Sequence, residues 1–329
     1  MRIIVYGVGA IGGAVAAALT LAGRDVVGIA RGKRLAALKE NGLNFRTPEW
    51  EKRVHFPCVA DPTEIEFGPD DAILLTMKTQ DTIAALDRLR AAGVTAQPIF
   101  CLQNGVTNER LVLRRFPEVH GVTVRMPAFI ADPDDACAFS GPKHGIFDVG
   151  RYPKGSNRHD EALAEALNAA NIATDVNDDV MPSKYGKLFV NLNNILEATL
   201  GRGVKCERLY SHVCAEAEAV LKAAGIAWQD VGEDDERRKK FMKFSPIEGV
   251  TYDGGSTTQS LMRGAGSVET DFMNGEIVLM ARLNGMEAPA NAFLVDLAAR
   301  LAREGLKPGA ITVEDLEAQM AAAGALVDA

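Results

Sequence analysis

At 329 residues, 47% of them hydrophobic and 24% charged, the chain is long enough for two domains with ordinary cores and has the composition of a globular protein. A formal net charge of −8 argues against a nucleic-acid partner, and it means that an anionic ligand must be drawn in by local cations. Five scattered cysteines without a C-x-x-C spacing read as reduced thiols of a cytoplasmic protein, and five histidines with no H-E-x-x-H or close cluster give a metal site no support.

Met1 to Tyr6 reads as a buried strand, and Gly7-Val8-Gly9-Ala10-Ile11-Gly12 follows it directly and opens an alanine-rich helix. That is the dinucleotide fingerprint in its required context. Gly7 permits the tight turn, Gly9 has no Cβ to hold a pyrophosphate away, and Gly12 lets helix and strand pack closely. The helix N-terminus then offers unpaired N–H groups to the phosphates. The plain alternative is a glycine-rich turn with no ligand. The uncharged run from Val5 to Gly23 resembles a secretory signal, but five of its nineteen residues are glycines placed where a strand must turn into a helix. No other uncharged stretch is long enough to span a bilayer, so no membrane partner is expected.

Further apolar runs at Asp25 to Ile29, Ala72 to Thr76, Pro98 to Leu102, Val119 to Val124, Gly145 to Val149 and Ala173 to Val176 read as strands. Helical stretches at Thr82 to Arg90, Asn108 to Arg115 and His159 to Ala170 separate them, which predicts a doubly wound, mainly parallel sheet. From Met181 the strand pattern stops. Lys184 to Leu200, Glu207 to Ala224, Val268 to Leu283 and Ala290 to Glu304 are helical in period, with Gly225 and Gly285 as stops. The expected domains are therefore 1–179, an α/β Rossmann domain, and 180–329, an all-α domain. The block Glu233 to Lys240 reads as a solvated loop or helix face.

The end of the second strand separates the two dinucleotides, because an NAD enzyme places an acid there, about 20 residues beyond the glycines. This chain has Arg31, followed by Gly32, Lys33 and Arg34, which suits the 2′-phosphate of NADPH. A solvated basic loop is the alternative. Lys78, Gln80 and Asn104 follow later strands, where open α/β sheets bind ligands, although such residues also serve as loop or cap residues. In the second half, Lys184, Lys187, Asn191 and Asn194 share one helix face beside apolar Leu188, Val190, Leu192 and Ile195. A wet outer face would usually mix in acids. Amines and amides alone suit a carbonyl substrate that bears a carboxylate.

These segments together resemble the ketopantoate reductases (2-dehydropantoate 2-reductases) over nearly the whole length. The resemblance rests on Gly7 to Gly12, Arg31, Lys78-Thr79-Gln80, Leu102-Gln-Asn104-Gly-Val106, Lys187-Leu-x-x-Asn191, and Ser267-Val-Glu269-Thr-Asp271-x-x-Asn274-Gly275. It implies a Rossmann domain joined to a helical domain of the 6-phosphogluconate-dehydrogenase C-terminal type. It also implies NADPH as hydride donor and a small 2-oxo acid in the cleft between the domains. By analogy the cofactor lies on Gly7, Val8, Gly9, Ala10, Ile11, Gly12, Arg31, Lys78 and Asn104. Lys187 would be the general acid, with Asn104, Asn191, Thr257 and Glu269 as substrate partners and Glu269 also counted as catalytic. Two positions depart from the family pattern. Ile195 stands where a second asparagine is expected, with Asn194 or Asn193 as substitutes, and Ser256-Thr-Thr-Gln-Ser260 replaces a Ser-Ser-x-x-Gln-Asp run. Glu269 would also be favourable merely as a first-turn helix acid.

The expected activity is NADPH-dependent reduction of ketopantoate to pantoate, a step of pantothenate and coenzyme A biosynthesis. The alternatives are a paralogue acting on another branched 2-oxo acid and a non-catalytic NADP(H)-sensing module. Oligomeric state stays open, a homodimer included.

Overall fold

The structure, a computed structural model, describes residues 1–264 and 266–326, and the chain divides into two units. One holds Met1–Lys184 with Asp230–Tyr252, the other Tyr185–Gln229 with the residues from Asp253 on.

The first unit runs β1 (Arg2–Tyr6), α1 (Ala10–Leu21), β2 (Val26–Ile29), α2 (Gly32–Asn41), β3 (Leu43–Arg46), β4 (Glu51–Val54), β5 (Cys58–Val59), β6 (Asp71–Leu75), α3 (Thr82–Ala91), β7 (Ile99–Cys101) and α4 (Asn108–Leu113). It continues through β8 (Val119–Arg125), β9 (Ala128–Phe129), β10 (Asp135–Ala138), β11 (Ser140–Pro142), β12 (Gly145–Arg151), α5 (Arg158–Ala169) and β13 (Ile172–Val176). One eight-stranded sheet has the order β13-β12-β8-β7-β6-β1-β2-β5 and is parallel except where β12 meets β8. All seven strands expected from the apolar runs join it.

The sheet is doubly wound from β1, with β2 on one side and β6 on the other. Loops leaving β1 and β6 therefore part company and open a crevice at the carboxyl ends of the strands. The register pairs Tyr6 with both Ile29 and Leu75, which sets Gly7 beside Thr76. Residues of α1 and α5 form the apolar core with one face of the sheet, and residues of α3 and α4 form it with the other. A second sheet, β4-β3-β10-β9, packs on α1. It was not expected, because its strands are two to four residues long and Glu51, Lys52 and Arg53 are exposed.

α6 (Val180–Leu200) starts where the domain boundary was expected, but its first turn, through Lys184, stays with the first unit. After α7 (Glu207–Ala223) the chain returns to the first unit as α8 (Glu236–Phe241) and β14 (Met242–Phe244), which pairs antiparallel with β11. Residues 230–252 thus leave the expected helical domain, and the block at Glu233 to Lys240 is more than a solvated face. Asp235 caps α8 by accepting from the backbone N–H of Arg237 and Arg238 and pairs with Arg125 at 2.5 Å. Arg237 pairs with Asp148 and Asp175. These ion pairs bind the excursion to the sheet, and charge carries no periodicity from which to foresee it.

The second unit contains the rest of α6, α7, α9 (Ser256–Met262), α10 (Asn274–Leu283), α11 (Pro289–Glu304) and α12 (Val313–Ala322) around one apolar core. The helix expected over Val268 to Leu283 is broken. Glu269–Phe272 is a 3-10 turn, and Met273 (φ −115°, ψ −90°) separates it from α10. The buried Asn274 amide donates to Asn291 across the unit, which holds the break in place. Among the described residues no helix is long and apolar enough to cross a membrane.

Candidate cofactor and substrate sites

The glycine loop is fixed by its own backbone. Gly7 has φ +106°, and a Cβ there would lie 2.7 Å from the Met77 nitrogen. A Cβ on Gly12 would collide with the Gly7 carbonyl and Thr76 Oγ1, and that hydroxyl donates to Gly7 O at 2.8 Å. Gly9 differs, because the nearest atom to a Cβ there is 3.7 Å away. The protein itself does not need glycine at that position, so the missing side chain fits a ligand's close approach, as a pyrophosphate requires. Val8, Ala10 and Ile11 complete the loop, and α1 begins at Ala10 with no side-chain cap and no acid in its first turn. The fit to a dinucleotide is good.

The three cations after β2 do different things. Arg31 is the N-cap of α2, is exposed, and pairs with Asp81 at 3.4 Å. Lys33 is exposed beside it. Arg34 does not face the ligand as expected. Its guanidinium donates to the carbonyls of Val8, Pro133 and Asp135 at 2.7 to 2.9 Å and fills the space that Gly13 leaves. Burial lowers it to about 10, still charged at neutral pH. Arg34 therefore clamps the glycine loop from behind, and of the three cations only Arg31 and Lys33 stay exposed.

Lys78 is half-buried with extended backbone and leads into a 3-10 turn, Thr79–Asp81. Asn104 is half-buried in the loop after β7, and its carbonyl accepts from Asn108 Nδ2 at 3.3 Å. Behind that loop lies a buried polar network that sequence reasoning missed. Gln103 donates to Thr82 and Met77 O, Thr82 donates to Asn108, and Asn108 donates to Thr79. Each bond ties the segment after β6 to the segment after β7.

Lys184, grouped with Lys187 on one helix stripe, belongs to a different environment. Its ammonium is buried in the first unit against Glu109. In the second unit, Lys187 is half-buried and donates to Asn191 Oδ1 at 3.0 Å, and the Asn191 amide approaches Met273 Sδ at 3.8 Å. Ile195 is core. Asn194 donates to Ser256 Oγ at 3.4 Å at the start of α9, whereas Asn193 lies by Cys206 Sγ at 4.0 Å. Thr257 is buried on α9, and Glu269 is buried in the first turn of its 3-10 segment.

Glu197, one turn beyond Asn194, was not singled out from the sequence. Its Oε1 accepts from Gly255 N at 2.5 Å and Thr258 Oγ1 at 3.3 Å, so it caps α9, which has no cap of its own. The only sequence signal was an acid ending an otherwise acid-free face.

A glycine-loop crevice in a doubly wound sheet, followed by helices that present an amine among amides, defines a dinucleotide-dependent oxidoreductase. Comparison with known proteins narrows the class. Residues 3–152 match the family described as "Ketopantoate reductase PanE/ApbA" and residues 179–302 its C-terminal domain. The 2-dehydropantoate 2-reductase of Pyrococcus horikoshii is 30% identical over 299 residues, covering 89% of this chain and 95% of the relative. That of Mesorhizobium japonicum is 28% identical, covering 92% and 98%. A PanE/ApbA family ketopantoate reductase from Ralstonia eutropha superposes with a TM-score of 0.77 at 26% identity, covering 93% and 99%. A D-mandelate dehydrogenase solved with NADH and anilino(oxo)acetate shares the fold, with a TM-score of 0.77 at 22% identity and the same coverage. The chain belongs to the ketopantoate reductase family, and it is an oxidoreductase that uses a nicotinamide cofactor.

Proposed function

We propose that this protein is a cytoplasmic, NADPH-dependent reductase of 2-dehydropantoate that yields pantoate for pantothenate and coenzyme A biosynthesis. The observation that carries the reading is the Lys187 ammonium held by Asn191 on α6. When bound, the reduced nicotinamide supplies a hydride to C2 of the 2-oxo acid. The glycine loop and the start of α1 would hold the pyrophosphate, Arg31 and Lys33 would take the 2′-phosphate, and Lys78 and Asn104 would contribute from the loops after β6 and β7.

Lys187 gives a proton to the C2 oxygen as negative charge grows there and is recharged from solvent. One of its N–H bonds is engaged by Asn191, which helps to fix the direction of the ammonium. Asn104, Asn191 and Thr257 hold the substrate, and Asn194, which lies with Ser256 on the α9 side, takes the place of the family's second asparagine. Glu269 accepts from the 4-hydroxyl. Five free cysteines support the cytoplasmic location.

A site built around a buried hydrogen bond rejects the analogue that lacks it. Following NADPH oxidation with a panel of 2-oxo acids should therefore give strong preference for ketopantoate over 2-oxoisovalerate, which has no hydroxyl. Equal use of both acids would transfer the reading to a paralogous reductase of another branched 2-oxo acid. Cofactor binding without reduction of any 2-oxo acid would overturn both.

A further inference from the structure

Lys184 and Glu109 are paired inside the first unit with 2% and 0% of their side chains exposed, and the chemistry above uses neither. The Lys184 ammonium also reaches the carbonyl oxygens of Cys101, Gln103 and Val122 at 3.3, 3.2 and 3.4 Å. These are the last residue of β7, the residue before Asn104, and the middle of β8. Oε2 of Glu109 is buried without a partner, so the pair is not even fully satisfied. Such a pair is a poor source of stability, because apolar replacements of similar volume are often neutral or better.

The pair instead fixes direction. Holding the Gln103 carbonyl sets the peptide plane that leads into Asn104, while Asn108 holds the Asn104 carbonyl from the other side. The same lysine anchors the first turn of α6, and Lys187 follows one turn later on that helix.

We propose that Lys184 is a positioning residue for the reduction: paired with Glu109, it fixes the loop of Asn104 and the start of the helix that carries Lys187. The proposal rests on the roles given to Asn104 and Lys187 above. Its test uses Lys184→Met, Lys184→Met/Glu109→Leu and Lys187→Ala in the full chain. Each is measured for Tm, for NADPH affinity by fluorescence titration, and for kcat, KM and the pH profile of kcat with the 2-oxo acid the unaltered enzyme reduces.

Lys184→Met strands Glu109 and should lower Tm, and the double variant should recover it. Both should bind NADPH within about threefold of the parent and keep the shape of its pH profile. Their kcat should fall about 10- to 100-fold, the scale of a 1 Å misplacement of reacting groups. If kcat in the double variant returns together with Tm, the pair is structural only and the proposal is overturned. A near-normal Lys187→Ala would instead overturn the reading of the site itself, whatever the Lys184 variants do.

Discussion

The cofactor side and the substrate side of this protein are made of different material. In the first unit the crevice is backbone: Gly7 and Gly12 touch Met77, Thr76 and each other so closely that no side chain fits, and Arg34 braces the loop through the Val8 carbonyl. In the second unit the residues proposed for the substrate are side chains held by side chains, Lys187 on Asn191 and Asn194 on Ser256, with Glu197 on the backbone of α9. A backbone site tolerates almost no substitution and so reads the same wherever it occurs. A side-chain site can exchange members and change what it binds without changing the fold.

The largest expected effect separates the two sides. Lys187→Ala should lower kcat by about 10² to 10⁴, the usual contribution of a general acid, with NADPH affinity unchanged. Single-turnover hydride transfer and a cofactor titration measure the two parts. Loss of cofactor affinity in step with kcat would mean that the sides are not separable in this way.

Within the backbone side, two glycines should behave oppositely. Gly12→Ala forces a Cβ into Gly7 O and Thr76 Oγ1 and should destabilise the protein by about 1 to 3 kcal/mol, the range for an overpacked core, as well as impair cofactor binding. Gly9→Ala meets nothing closer than 3.7 Å, so denaturant unfolding without cofactor should match the parent while cofactor affinity falls. A stability loss at Gly9 equal to that at Gly12 would remove the reason for assigning Gly9 to a ligand.

The same contrast explains what the sequence disclosed. Period and glycine placement are local signals, so seven strands of the eight-stranded sheet, its crevice and the helices α6, α7 and α11 were legible in runs such as Ile3-Ile4-Val5, in Gly7 to Gly12 and in helical period, whereas the two-residue β5 and the short helices α9 and α12 were not. The second sheet was not, because β9 is two residues long and β4 shows the solvent three charged side chains. Nor was the return of residues 230–252, which depends on pairs such as Arg125 with Asp235, 110 positions apart. At the sites, residue types pointed to Arg31, Lys187 and Asn191. They could not tell that Arg34 turns inward or that Lys184, one turn from Lys187, finds Glu109 75 positions away. Partners distant in sequence leave no periodic trace.

Acid should weaken the first unit through His144. Burial, with Phe45 and Trp50 edge-on to its ring, pulls this histidine down to about 4, whereas in an unfolded chain it titrates near ~6.5. On acidification the unfolded chain takes up the proton first. The contribution of neutral His144 is therefore complete above pH ~6.5 and is lost progressively towards pH 4, on the order of 3 kcal/mol in all. Unfolding midpoints measured from pH 7 to pH 4.5 should fall less steeply in His144→Phe than in the parent. Parallel slopes would show that the folded protein accommodates the charge.

The smallest effect is expected at Arg31, the exposed cation proposed for the 2′-phosphate. With 72% of its side chain exposed and Asp81 3.4 Å away, Arg31 is screened by water and partly neutralised. A charge-assisted bond to a phosphate is worth about 1.5 to 3 kcal/mol at best, and exposure brings the expectation to the lower end. Arg31→Ala should thus reduce the preference for NADPH over NADH about tenfold, with NADH kinetics nearly unchanged. Asp81→Asn should move the preference the other way by a few-fold, since it releases Arg31 from a pair worth no more than about 1 kcal/mol and removes a carboxylate near the incoming phosphate. Ratios of kcat/KM for the two cofactors at low and high salt measure both variants, and the shifts should shrink as salt rises. A parent enzyme equally efficient with both cofactors would leave Arg31 and Lys33 as a solvated basic turn, and cofactor choice would then have to lie in the backbone.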